Sequence, residues 1–183
     1  MRWEALFSDL EAEFAAAEAV EADAELRDRV RRETALLRLA DRLAPARGSD
    51  LAVHVAADVI RGSLTDAGVD WLLLAESPAR DALIPVRAVA SVTGLGRMSA
   101  TPGFEGRVGT KLTLAYALRG IARDRTGVAV VLMDGTTCSG TIDRVGADFI
   151  EIAEHPASEP RRAASVSGVR TVPQSAIVVV RSV

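Results

Sequence analysis

The apolar positions change their period along the chain, and that change divides it. Over residues 1 to 44, Trp3, Leu6, Phe7, Leu10 and Phe14 recur at spacings of three and four. That is the mark of a helix with one apolar stripe. The stretch Glu11 to Glu25 is acidic and rich in Ala, so its helix propensity is high while few large side chains can pack. A second stripe follows, with Leu26, Val30, Leu37 and Ala44 on one line and Leu36, Leu39 and Leu43 beside it. Asp23 is the predicted N-cap of this second helix, and Pro45 with Gly48 ends it. The arginines Arg27, Arg29, Arg31 and Arg32 fall largely on its outer side and predict a solvated face.

From Leu51 the period is two. Leu51, Val53 and Val55 alternate with Ala52, His54 and Ala56, and β-type runs follow at Val59 to Leu64, Trp71 to Ala75 and Val86 to Val92. Asp66-Ala67-Gly68, Ser77-Pro78 and Thr93-Gly94 break these runs. Residues 94 to 109 hold five glycines and Pro102 and read as a linker. Leu112, Leu114, Ala115, Leu118 and Ile121 predict a short helix ending near Arg125 to Gly127. Strand periodicity then returns at Val128 to Met133, Thr137 to Ile142, Phe149 to Ala153 and Ala176 to Val180.

The two β regions repeat each other. Gly62, Gly68, Asp70 and Trp71 of Arg61 to Glu76 lie over Gly140, Gly146, Asp148 and Phe149 of Ser139 to Glu154. Further on, Ile84-Pro85 to Val89 lies over Val172-Pro173 to Ile177, after a longer insertion in the second copy from His155 to Arg170. A helix precedes each copy, Glu33 to Leu43 and Lys111 to Ile121. Gly62 and Gly140 predict bend points in curved strands. Gly68-Val69-Asp70 and Gly146-Ala147-Asp148 predict tight turns. Pro85 and Pro173 suit the start of a short closing strand. Short bent strands that curl on themselves predict two small closed β-barrels, which leave no exposed edges.

The second copy carries a family resemblance. It reads Val128 to Met133, Asp134-Gly135, Cys138-Ser139-Gly140-Thr141-Ile142 and then Phe149-Ile150-Glu151-Ile152, closing with Val172-Pro173 and Ala176 to Arg181. This pattern resembles the Sm-like (LSm) family, an alternating strand, an Asp-Gly turn and a strand ending in Gly-Thr-Ile. The first copy is more degenerate, with Ala56-Ala57 in place of the Asp-Gly turn. Barrels of SH3-like or PRC type show similar spacing. The fold class expected is therefore α+β: N-terminal helices followed by two Sm-like or SH3-like small barrels, each preceded by a helix. The expected division is a helical segment 1–47, a first barrel 48–93, a Gly-rich linker 94–109, and a helix with a second barrel at 110–183. The resemblance implies assembly through edge strands, with Ile177 to Val180 as the candidate edge. It also implies RNA binding, yet Gly146 and Ile150, and Gly68 and Leu72, stand where RNA-binding members carry an Asp and an Asn. The Arg-Gly signature before the last strand is replaced by Val179-Val180-Arg181-Ser182.

Composition narrows the chemistry. The net charge is −3 and aromatics are only 4% of residues, so the core must rest on Ala, Val, Leu and Ile. The acidic balance gives no global pull toward nucleic acid, so phosphate contact would fall to local arginines. Arg61, Arg144, Arg161, Arg162 and Arg170, with Trp71 as a stacking surface, are the candidate binding residues. Cys138 is the only cysteine, which excludes an intrachain disulfide, and its apolar neighbours predict a buried, inert thiol. His54 and His155, the only histidines, bring no set of co-ligands or nucleophile. Gly94-Leu95-Gly96 lacks a following helix start and reads as linker rather than phosphate loop. No catalytic constellation, metal site or cofactor is expected. With no apolar span and an acidic beginning, a cytoplasmic location is expected. Two functions follow, a non-catalytic RNA-associated regulator or a protein-assembly scaffold. In the second, Trp3, Leu6, Phe7, Leu10 and Phe14 form a helix that docks a protein partner, and the chain is a homo-oligomer.

Overall fold

The computed structural model describes residues 2–56, 58–100, 112–156 and 166–183. The chain divides into two compact units, Met1–Leu37 and Arg38–Val183.

The first unit is one helix, α1 (Arg2–Ala35). The sequence predicts a second start at Asp23, but the helix runs through it. Nothing between Glu21 and Glu25 breaks a helix, and Asp23 spends its carboxylate on Arg27 one turn on instead of capping. Arg29 and Glu33 make a similar pair at 3.0 Å. Such exposed pairs at helical spacing add about 0.3–0.5 kcal/mol each.

The second unit opens with α2 (Leu39–Leu43), started by Asp41, whose Oδ2 accepts the Arg38 N–H at 2.7 Å. Ten strands follow, with one further helix, α3 (Leu114–Asp124). They are β1 (Asp50–Val55), β2 (Asp58–Ala67), β3 (Trp71–Ser77), β4 (Arg80–Pro85), β5 (Val89–Thr93), β6 (Gly127–Leu132), β7 (Thr137–Val145), β8 (Phe149–Glu154), β9 (Gly168–Pro173) and β10 (Ile177–Ser182). All pair antiparallel in one open sheet, in the order β5-β1-β2-β3-β4-β10-β6-β7-β8-β9.

This corrects the expected architecture of two closed barrels. The strands form a single ten-stranded sheet, not two closed cylinders, and three α-helices stand among the described residues. The reason lies in β4 and β10. β4 buries Ala82, Leu83, Ile84 and Pro85, and β10 buries Ile177 to Val180. Each satisfies its outer backbone groups on the other, Leu83 opposite Val180 and Ala82 opposite Arg181. Ile177 to Val180 is thus an interior strand, paired with β4 and β6, and not the expected edge. Pro85 and Pro173 are corrected too: they end β4 and β9, where the lost N–H falls outside the ladder, and a three-residue 3-10 turn leads to the next strand.

The internal repeat is visible in the backbone. Each half has its fifth strand returning to its first, β5 on β1 and β10 on β6. The β2–β3 pairing shifts register between Leu64 and Asp66, and the β7–β8 pairing shifts between Ile142 and Arg144. Gly68 donates to the Trp71 carbonyl at 2.9 Å, and Gly146 to that of Phe149 at 2.8 Å. Apolar side chains gather in two clusters that exchange members. Val178 and Val179 pack with Leu51, Val53, Leu64 and Leu74 of the first half. Trp71 and Leu83 pack with Leu118, Val130, Ile142 and Ile152 of the second.

Candidate functional site

Two features stand out where the halves meet and where the sheet ends. At the meeting of the halves, Arg181 on β10 reaches back to the first half. Its Nε donates to Glu76 at 3.1 Å and its Nη2 to Asp58 at 3.0 Å. Burial works against the Arg181 charge, but the bonds to Asp58 and Glu76 outweigh it and hold the guanidinium more firmly protonated than usual. The bond from Arg181, followed by that from the Val59 N–H, holds the Asp58 carboxyl below its ordinary range. The β2–β3 turn makes a second tie. Asp70 Oδ1 accepts the Leu114 N–H at 2.7 Å, at the free amide end of α3. The Leu112 carbonyl accepts Trp71 Nε1–H at 2.9 Å and the Val69 N–H at 3.3 Å.

Among the described residues the sheet ends at β5 and β9, each paired on one side only. These strands are more polar than the interior pair that resembles them. Ser91 and Thr93 of β5 are exposed, as are Arg170 and Thr171 of β9, where β10 and β4 carry buried aliphatic residues. An unpaired strand edge is a ready template for another strand, and polar side chains restrain indiscriminate pairing.

Of the expected binding residues, Arg61, Trp71, Arg144 and Arg170 fall on β2, β3, β7 and β9. Arg61 is exposed on β2. Arg144 Nη1 donates to Glu151 at 3.4 Å, and Arg170 Nε to Glu154 at 2.7 Å. Trp71 is 5% exposed, which leaves little of its ring to a base, and its indole N–H is engaged. Arg161 and Arg162 lie outside the described residues. On α1, Trp3, Phe7 and Phe14 are 71, 60 and 70% exposed. They share one sector of the helix at 100° per residue. The side chains of Leu6 and Leu10 lie outside those described.

Sequence reasoning passed over His155. It is buried beside Thr141, with Nε2 2.8 Å from the threonine hydroxyl and Nδ1 3.0 Å from the Pro156 carbonyl. A carbonyl only accepts, so Nδ1 donates to Pro156. The two bonds anchor the start of the insertion to β7. The signal available was the pairing of a lone His with a Thr in a Gly-Thr-Ile strand, which spacing alone does not connect. Cys138 is buried, and that burial pushes its thiol above the usual range.

Among the described residues no three His, Cys, Asp or Glu side chains gather closely enough to hold a metal ion. None of the described helices is long and apolar enough to cross a membrane. Comparison with known proteins finds no matching family model and no matching curated protein. Function must therefore be argued from the residues themselves.

Proposed function

We propose that the chain is a non-catalytic, cytoplasmic assembly module whose two sheet edges join copies head to tail. One observation carries this reading: inside the chain, the open edge of β4 is already completed by β10. β9 and β5 are the counterparts of those two strands in the repeat, and among the described residues each is paired on one side only. Pairing β9 of one copy with β5 of the next would reuse the internal contact between chains. The Sm-like resemblance is part of this proposal, since it implies contacts of this kind. The exposed Trp3, Phe7 and Phe14 on α1 offer a second place for a protein partner. A phosphate ligand, by contrast, would have to displace Glu151 and Glu154 from Arg144 and Arg170.

The register can be written down. Pro85 corresponds to Pro173, an offset of 88 residues. Applied to Ala82 opposite Arg181, that offset places Arg170 of one copy opposite Thr93 of the next. Like charges facing across a ladder are destabilising, and opposite charges favour it. Light scattering over a concentration series should show association of the full chain. Thr93→Arg should weaken it, and Thr93→Glu should preserve or strengthen it. A wild-type chain that stays monomeric, or a Thr93→Arg chain that associates as before, overturns the reading.

A further inference from the structure

We propose that the cavity between α3 and the β3–β4 strands binds a small organic amine with an apolar body. The site is independent of edge assembly, because it uses no residue of β5 or β9. It is a half-open cleft of about 260 Å³. Its floor is one face of four neighbouring strands: Trp71 and Leu73 on β3, Leu83 on β4, Val180 on β10 and Val128 on β6. Ala117 and Ile121, one turn apart on α3, form the wall. The cleft is mainly apolar and half open, so a guest can enter from solvent and cover its aliphatic lining. It falls just below the roughly 300–1,000 Å³ of sites that take drug-sized ligands, so the guest is small.

One end of the cleft is polar and carries one sign of charge. Asp81, Ser182, Asp124 and Thr126 stand there, and no basic side chain lines the site. Asp124 meets Arg123 at 3.4 Å, while Asp81 makes no ion pair among the described residues. Ser182 Oγ is held in place by the Asp81 N–H at 2.8 Å. The same end holds the carbonyl terminus of α3, which carries partial negative charge. An apolar body on the floor with an ammonium group at this end satisfies all three features. A carboxylate there would face Asp81 and Asp124.

The test uses the full chain and three probes of one shape: hexylamine, 1-hexanol and hexanoate. Calorimetric titration should give hexylamine the tightest binding, about three- to tenfold over hexanol for two exposed carboxylates, with hexanoate the weakest. Asp81→Asn combined with Asp124→Asn should bring hexylamine down to the hexanol level and leave hexanol unchanged. Ala117→Trp fills the cavity and should abolish binding of all three. The proposal is overturned if wild type binds none of them, if hexanoate matches hexylamine, or if a folded Ala117→Trp protein binds as before. Should Ala117→Trp fail to fold, the ratio of hexylamine to hexanol in the double Asn variant decides alone.

Discussion

Two glycines hold the hairpins of this sheet at their closest approach. A Cβ built on Gly62 would overlap the Ala75 carbonyl across the β2–β3 pair, and one on Gly140 would overlap the Ala153 carbonyl across β7–β8. A backbone carbonyl in a ladder cannot swing aside, so the strands themselves would have to part. Gly140→Ala should therefore lower unfolding free energy by about 1–3 kcal/mol in urea titrations. Gly120 gives the opposite sign. It sits inside α3 with open space around it, so Gly120→Ala should raise stability by about 0.5–1 kcal/mol. Equal midpoints for Gly140→Ala and wild type would refute the close approach. These glycines are legible in the sequence because a duplicated Gly inside an apolar run has few other uses. The buried Thr141–His155 bond is not, because it joins residues fourteen positions apart across a turn whose geometry the sequence does not state. For the same reason Arg61, Arg144 and Arg170 look like a set in the sequence and fall on β2, β7 and β9. The glutamate partners of Arg144 and Arg170 sit on the neighbouring strand β8.

At the scale of elements, most strands announce themselves by alternation, and the two that escape are instructive. Arg80–Pro85 is an interior strand that starts with two charges, and Gly168–Pro173 is an edge whose side chains are mostly polar. Neither shows the half-buried pattern that alternation detects. Ile177 to Val180 is easy to see as a strand and impossible to place, since four consecutive apolar residues tell neither which face is buried nor which strands flank it. What fixes β10 is Arg181, whose guanidinium holds Asp58 and Glu76 of the other half. Arg181→Met should cost about 1–3 kcal/mol at neutral pH, the range for hydrogen bonds to charged groups. The pH dependence follows from Asp58, whose folded-state carboxyl lies below its ordinary value. A depressed carboxyl contributes stability that is present above the unfolded value, near 3.9, and lost as pH falls through the folded one. The stability gap between wild type and Arg181→Met should therefore narrow as pH drops below about 4. Asp58 is largely exposed, which keeps that portion of the gap small. A gap that stays constant down to pH 2 would remove Asp58 from the account.

At the scale of the molecule, a duplicated sequence suggests two units that fold side by side, and the packing argues otherwise. Residues 38–93 contain about 60 positions, a size at which folding buries only about 60% of the unfolded surface and stability is marginal. This half also lacks its full core, because Val178 and Val179, from the end of the chain, complete it. The second half in turn needs Trp71 and Leu83, and its helix α3 starts on Asp70. Separating the halves would expose the backbone edges of β4 and β10 and leave Glu76 and Arg181 without each other. Residues 38–93 and 110–183 made separately should thus show no sharp thermal transition and should tend to aggregate through the bared edges. Made together in one cell, they should copurify in equal amounts and melt as one species, because the β4–β10 pairing, the Arg181 bonds and the shared apolar clusters all lie within the two pieces. A cooperative transition in residues 38–93 alone would mean that the exchanged valines are dispensable. Reassembly of the two pieces would show that the β4–β10 contact forms between separate chains, which is the same step that head-to-tail pairing of β9 with β5 requires.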